Sequence, residues 1–170
     1  MLLTADTGDH NHPGCAAAIL SGLQHKTTPS FLIHLTGTGC ISDEGTQSWK
    51  GTIIRTFGTM FGKINEIYNL PDSAKHHVID KKIMNVSSKL LKTACVCLPD
   101  IYGQSTGIGN RATFLVPEYV RIAMEKKEEF YLGKGENVRA VTHIDDVVGL
   151  FSSAKPFKAE DQHNGAKRFF

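Results

Sequence analysis

Residues 73–82 read SAKHHVIDKK, and place two adjacent imidazoles four residues ahead of possible partners: His76 with Asp80, His77 with Lys81. An imidazole titrates near ~6.5 and can give or take a proton at neutral pH. A carboxylate one helical turn away can orient it and favours its charged form. An ordinary solvated helical pair has the same spacing and carries no chemistry. A second concentration, Asp6, Asp9, His10 and His12, has side chains that hard and borderline metals use, which makes a metal-dependent hydrolase conceivable. Hydrolytic metal sites draw ligands from several elements, and no helix here carries a matching second cluster. The stretch reads as a polar loop, and no metal is expected.

The surrounding pattern decides how the histidines are presented. Residues 72–92 have helical periodicity, with Asp72 or Ser73 placed to cap just after Pro71. On that helix Ile79, Ile83, Val86 and Leu90 form the core stripe. His76 and Asp80 fall at its border, while His77 and Lys81 face solvent. A border side chain can reach a cleft while packing holds its backbone, so the 76/80 pair is preferred over the 77/81 pair.

Other elements follow in alternation. MLLTAD is an apolar start, and PGCAAAILSGLQHK is a helix with apolar residues at Ala16, Ile19, Leu20 and Leu23. SFLIHLTG reads as a buried strand, and residues 41–70 as an irregular excursion with a short helix near 62–68. TACVCLPDIYG is a strand ended by Pro99, and RATFLVPEYVRIAMEKKE is a helix kinked at Pro117. Residues 129–155 read as a strand, a turn at GKGE, another strand and a helix begun by Asp145 or Asp146. This alternation implies βαβ crossovers: an α/β fold with a partial Rossmann-type, mainly parallel sheet, helices on both faces and a small C-terminal region. Functional residues should gather at the carboxyl ends of the strands, at residues 4–6, 36–39 and 98–103.

The bulk composition narrows the class. At 170 residues and 41 % hydrophobic, the chain is sized for a single domain, 1–170, with a real core. A net charge of +2 with interspersed acids argues against nucleic acid. No apolar run has the length of a membrane span and no signal-peptide pattern opens the chain, so a cytoplasmic protein is expected. Cys15, Cys40, Cys95 and Cys97 lack the spacing of a zinc knuckle or redox motif and read as free thiols. TGTG, GIGN and GKGE do not complete a dinucleotide fingerprint.

SAKHHVIDKKI, then LPDIYG, a glycine-containing loop, NR and THIDDVVGLF, in that order, resemble the extended short-chain dehydrogenase/reductase family. This is the NAD-dependent epimerase/dehydratase group, and fungal nucleoside-diphosphate-sugar epimerase-like members are the nearest likeness. The resemblance covers nearly the whole chain but only the later part of the family domain. It implies an N-terminally truncated member that opens near the fourth strand of the sheet. Residues 1–103 would be the C-terminal half of the dinucleotide-binding sheet, and 104–170 an incomplete substrate-side region.

The family's catalytic set is a Ser or Thr after one strand and Tyr-x-x-x-Lys on the next helix. The resemblance places the first at Thr36 or Thr38 and the second on His76-x-x-x-Asp80. The tyrosine and lysine are thus replaced, and the cation that would hold the ribose is lost. It implies NAD or NADP as cofactor, bordered by Thr4, Ala5, Leu35, Pro99 and Ile101, and a substrate site at Tyr102, Asn110 and Arg111. His143 belongs to the late motif, and Asp145 suits a helix cap.

The leading expectation is an NAD(P)-dependent oxidoreductase or epimerase/dehydratase-like protein acting on a carbonyl or secondary alcohol of a small, sugar-nucleotide-type substrate. The alternative is a catalytically silent dinucleotide-binding regulator or scaffold of the same fold. A first strand at Leu2–Ala5 leaves an apolar sheet edge that invites homo-oligomerisation.

Overall fold

The structure is a computed structural model, and it describes residues 2–41, 65, 67–86, 88–109, 111–131, 133–135 and 139–153. The fold is α/β with parallel sheets and, among the described residues, four α-helices of defined bounds. In order it runs β1 (Leu2–Asp6), α1 (Pro13–Gln24), β2 (Ser30–Gly37), a 3-10 turn (Thr38–Ile41), α2 (His77–Asn85), β3 (Leu91–Leu98), β4 (Asp100–Tyr102), α3 (Leu115–Lys126), β5 (Val141–His143) and α4 (Ile144–Ser153). Two compact units divide between Leu98 and Pro99. The division precedes β4, which pairs with β5 and not with the larger sheet.

The first unit holds a three-stranded parallel sheet ordered β1-β2-β3. Side chains alternate along each strand, so the register sorts them into two faces. Thr4 lies beside Leu32 and Asp6 beside His34. Leu32, His34 and Thr36 lie beside Thr93, Cys95 and Cys97. That face carries α1 and α2, and its core joins Leu32, Cys95 and Cys97 to Ala16, Leu20, Leu23, Ile79 and Ile83. Strands added in one direction through right-handed crossovers put both connecting helices on one face. Phe31, Ile33, Ala94 and Val96 on the other face are buried as well.

Local signals account for most boundaries. Pro13 occupies the first turn of α1, and the ring of His12 caps the helix by accepting the Cys15 N–H at 3.0 Å. Ala16, Leu20 and Leu23 then face the sheet at helical spacing. The helix expected over 72–92 is shorter, His77–Asn85. Turns bonded from Ala74 to Pro71 and from His77 to Ala74 precede it, and Asp72 pairs with Lys81 at 3.3 Å instead of capping. At the far end the Ser88 hydroxyl accepts the Leu90 and Leu91 N–H groups and turns the chain into β3. Leu90 is therefore exposed, while Val86 packs on the core as expected.

In the second unit, β4 and β5 pair in parallel. Thr113 donates its hydroxyl to the Ile101 carbonyl at 2.6 Å, and Arg139 pairs with Asp100 at 2.6 Å. Pro117 falls in the first turn of α3, where its missing N–H breaks no intrahelical bond, so it does not kink the helix. The strand expected near residues 129–132 is not among the described strands. Gly133 and Gly135 have positive φ, as the turn at GKGE requires. Most of the 41–70 excursion lies outside the described residues, although Asn65, Ile67 and Tyr68 are helical.

Candidate functional site

The carboxyl ends of β1 and β2 hold a chain of buried polar groups. Parallel register brings Asp6 and His34 side by side. His34 Nδ1 lies 2.8 Å from Asp6 Oδ2, so Nδ1 carries the hydrogen and the carboxylate accepts it. Two residues along the same face, Thr36 donates its hydroxyl to Asp80 Oδ2 at 2.9 Å. The other carboxyl oxygen, Asp80 Oδ1, faces His34 Nε2 at 3.7 Å, and neither atom has a hydrogen-bond partner. Asp6 is 7 % exposed, Thr36 2 %, and His34 and Asp80 1 % each.

Burial sets the proton affinities in this chain. It pushes the Asp80 carboxyl up to about 7, against the opposing effect of the Thr36 donor. It lowers the His34 imidazole, although the hydrogen bond and charge of Asp6 resist, and the nearby His10 lowers it further. Cys95 and Cys97 sit behind Asp80, and both thiols are raised: Cys95 by burial first, Cys97 by its hydrogen bond with Cys40 first. All the cysteines are free, with Cys15 half-buried and the other three buried, which matches their sequence reading.

Above this chain lies a more open group. His76 precedes α2 in the left-handed conformation, φ 66°. Its Nδ1 is 2.7 Å from Asn11 Oδ1. With that oxygen accepting, Nε2 is left as a lone pair. It points at the end of β2: a methyl group built on Gly39 would begin 3.0 Å from Nε2, and one on Gly37 3.2 Å. The His10 ring meets the His76 ring edge-on at 4.4 Å between centroids. Burial, then electrostatic repulsion from His10, Lys75 and His34, holds the His76 pKa below its ordinary value. Its half-buried ring is therefore a neutral base at pH 7.

The expected residues are thus brought together in a different pairing. Thr36, Thr38, His76 and Asp80 all belong to this end of the first unit. Asp80, however, does not orient His76; its carboxyl turns inward to Thr36 and His34, and Asn11 holds the imidazole instead. His76 lies outside the helix, so the spacing of four does not align the two side chains. Thr36 is buried, and the half-buried Thr38 begins the 3-10 turn. His77 is also corrected. It is 1 % exposed and not in solvent, and neither ring nitrogen has a hydrogen bond of full geometry, although the Tyr68 and Leu70 carbonyls lie close to the ring. Burial, then Lys81, lowers its pKa, while Asp72 and the carbonyls of Tyr68 and Leu70 oppose.

Asp6 and His34 were not legible as a pair. Asp6 reads with the polar loop and His34 reads as one more residue of an apolar run. Their shared strand parity was the available signal. Of the expected cofactor residues in this unit, Thr4 and Leu35 are half-buried and Ala5 is exposed. Thr4 lies on the α1/α2 face, Ala5 and Leu35 on the other. Among the described residues no group of three or more His, Cys, Asp or Glu side chains is arranged to hold a metal. No helix among them is long and apolar enough to cross a membrane.

In the second unit, Pro99 and Ile101 are half-buried and Tyr102 is exposed, its ring 5.1 Å from the His143 ring. Arg111 is exposed and donates to the Gly107 carbonyl at 3.3 Å. Asn110 lies outside the described residues. His143 Nδ1 accepts the Asp145 N–H at 3.2 Å, so the imidazole meets the first turn of α4, which begins at Ile144.

No family profile matches the chain, and no solved structure matches it. A curated protein that does match is "Oxidase ucsJ" of Acremonium sp., 26 % identical over 152 residues, covering 82 % of this chain and 42 % of that protein. The chain therefore spans about two fifths of the length of that relative.

Proposed function

We propose that this chain is part of an oxidoreductase that acts on a carbonyl or secondary alcohol, with NAD or NADP as redox partner. The observation that carries the reading is His76: a neutral imidazole with a free Nε2 lone pair, held against the glycine backbone at the carboxyl end of a central parallel strand. The name of the oxidase relative supports the oxidoreductase class. The epimerase/dehydratase assignment rests on the motif order alone.

The residues present fit the two ends of such a cofactor better than its middle. Gly37 and Gly39 leave the end of β2 with little side chain, and Ala5, next to last in β1, has a small exposed one. The N-terminus of α1 offers no pyrophosphate cradle, because Pro13 has no N–H and His12 takes that of Cys15. We assign the pyrophosphate to residues other than these. A nicotinamide, when bound, supplies hydride transfer. His76 Nε2 takes the hydroxyl proton of a secondary alcohol, or returns it to a carbonyl oxygen in reverse. Asn11 fixes the tautomer that leaves Nε2 free.

A second reading, a silent dinucleotide-binding relative, draws on one observation: the Thr36 hydroxyl and the Asp80 carboxyl are buried and bonded to each other. Fluorescence titration of NADH and NADPH, with carbonyl turnover in wild type and His76→Ala, separates the two. The enzyme reading expects binding in both proteins and a turnover loss of roughly 10²–10⁴-fold in the variant. Binding without turnover in wild type selects the silent relative. Absence of binding to either nucleotide ends both.

A further inference from the structure

The strongest unassigned feature is the buried chain itself. Its atoms permit few proton arrangements. Asp6 accepts from His34 Nδ1, which leaves His34 Nε2 a lone pair. Thr36 donates to Asp80 Oδ2, which leaves Asp80 Oδ1 facing that lone pair at 3.7 Å. If Asp80 were ionised and His34 neutral, two acceptors would oppose each other in a site closed to water. That arrangement has no compensating donor and leaves two buried polar atoms unsatisfied. A single proton, on the carboxyl or on the ring, removes the opposition of two acceptors across that 3.7 Å gap.

We propose that Asp6, His34, Asp80 and Thr36 form one buried proton-sharing unit, in which Asp80 holds a proton at neutral pH and fixes the start of α2, making it a positioning residue for His76. The link to His76 is covalent and short. The His76 carbonyl accepts the N–H groups of Ile79 and Asp80 at 3.0 and 3.1 Å, so the first turn of α2 hangs from His76. No side-chain cap holds that turn; the Asp80 carboxyl ties it to β2. Loss of the proton to solvent leaves a second carboxylate in the chain with Asp6, and it draws the turn toward water. His76, in a left-handed conformation that a non-glycine residue adopts at a cost, moves with it.

Among the described residues, the groups facing this unit come from β1, β2 and β3 and from neighbouring segments. Asp6 comes from β1 and His10 from the loop after it. His34 and Thr36 come from β2, and Cys40 from the turn that follows. Cys95 and Cys97 come from β3, and His76 with Lys75 from the segment before α2. The Cys95 and Cys97 thiols, both raised, lie behind Asp80 and carry no charge, so the carboxyl and the imidazoles set the response. The inference does not require the oxidoreductase reading, since it concerns protons and position alone.

Nuclear magnetic resonance on the intact chain tests it without substrate. The Asp80 side-chain carbon is followed against pH together with the His76 ring. The expected result is an Asp80 midpoint near neutrality and a second inflection in the His76 ring signals at the same pH. In Asp80→Asn that second inflection disappears while the intrinsic His76 titration stays, because the amide reproduces the donor toward His34 and the acceptor toward Thr36. In Thr36→Val the Asp80 midpoint moves upward, since the donor that favours the carboxylate is gone. An Asp80 midpoint in the ordinary carboxylate range overturns the proposal on wild type alone. A His76 response identical in wild type and Asp80→Asn overturns the positioning role.

Discussion

Replacing Asp80 by asparagine should stabilise the protein, and by an amount that grows with pH. Between the ordinary carboxyl value of 3.8 and about 7, the folded protein keeps a proton that the unfolded chain has released. Stability from this group is therefore fully present below the unfolded value, falls as pH rises through the window, and levels off above about 7. At ~1.36 kcal/mol per pH unit the full span amounts to roughly 4 kcal/mol, a large part of the 5–15 kcal/mol that typically stabilises a folded protein. An asparagine accepts from Thr36 and donates to His34 Nε2 without ever ionising. The difference between variant and wild type should be near zero around pH 4 and reach up to roughly 4 kcal/mol at pH 8. Urea unfolding followed by far-ultraviolet circular dichroism reads this as a midpoint increase of about 1–4 M at pH 8. Taking the difference at each pH cancels the histidines, which act in the opposite sense. A difference that stays flat with pH, or a variant weaker than wild type at pH 8, would refute the ionisation of a buried carboxyl as the cause.

The remaining predictions address single contacts. Acidification below ~6.5 should destabilise the protein through His34, His76 and His77, whose folded values are all lowered, because the unfolded chain takes up those protons first; His77→Leu should blunt that acid limb in the same unfolding assay. Gly103→Ala should cost the second unit more than ~1 kcal/mol by thermal melting, since φ is +115° and the new methyl carbon would lie 2.6 Å from His143 Nε2. Arg139→Ala should change stability by less than ~1 kcal/mol, because its pair with Asp100 is largely solvent-exposed. Leu3→Lys should reduce self-association in sedimentation velocity: β1 is an edge among the described strands, and Leu2 and Leu3 are 42 % and 38 % exposed.

How much of this was legible depended on whether a residue's neighbours were local. The α/β class followed from alternating periodicities, because SFLIHLTG and TACVCL are too short and apolar for anything but buried strands between helices. CAAAILSGL predicted its own buried face, since the residues that decide it lie within one helix. The histidine pair failed the same method for a physical reason. A helical wheel assumes one continuous helix, and His76 stands outside it with its backbone in the left-handed region. Once the frame starts at His77, residues 77, 80 and 84 share the inner face with 79 and 83, and polar side chains at 77 and 80 must be buried. Asp6 and His34 are separated by a full crossover, and only the strand register makes them partners. Yet their parity was readable: each occupies the α1/α2 face near the carboxyl end of its strand, where a parallel sheet gathers polar groups. A buried Asp on one strand, a buried His at the matching position of the next, and a third carboxyl on the inner face of the following helix together imply shared protons before any distance is known.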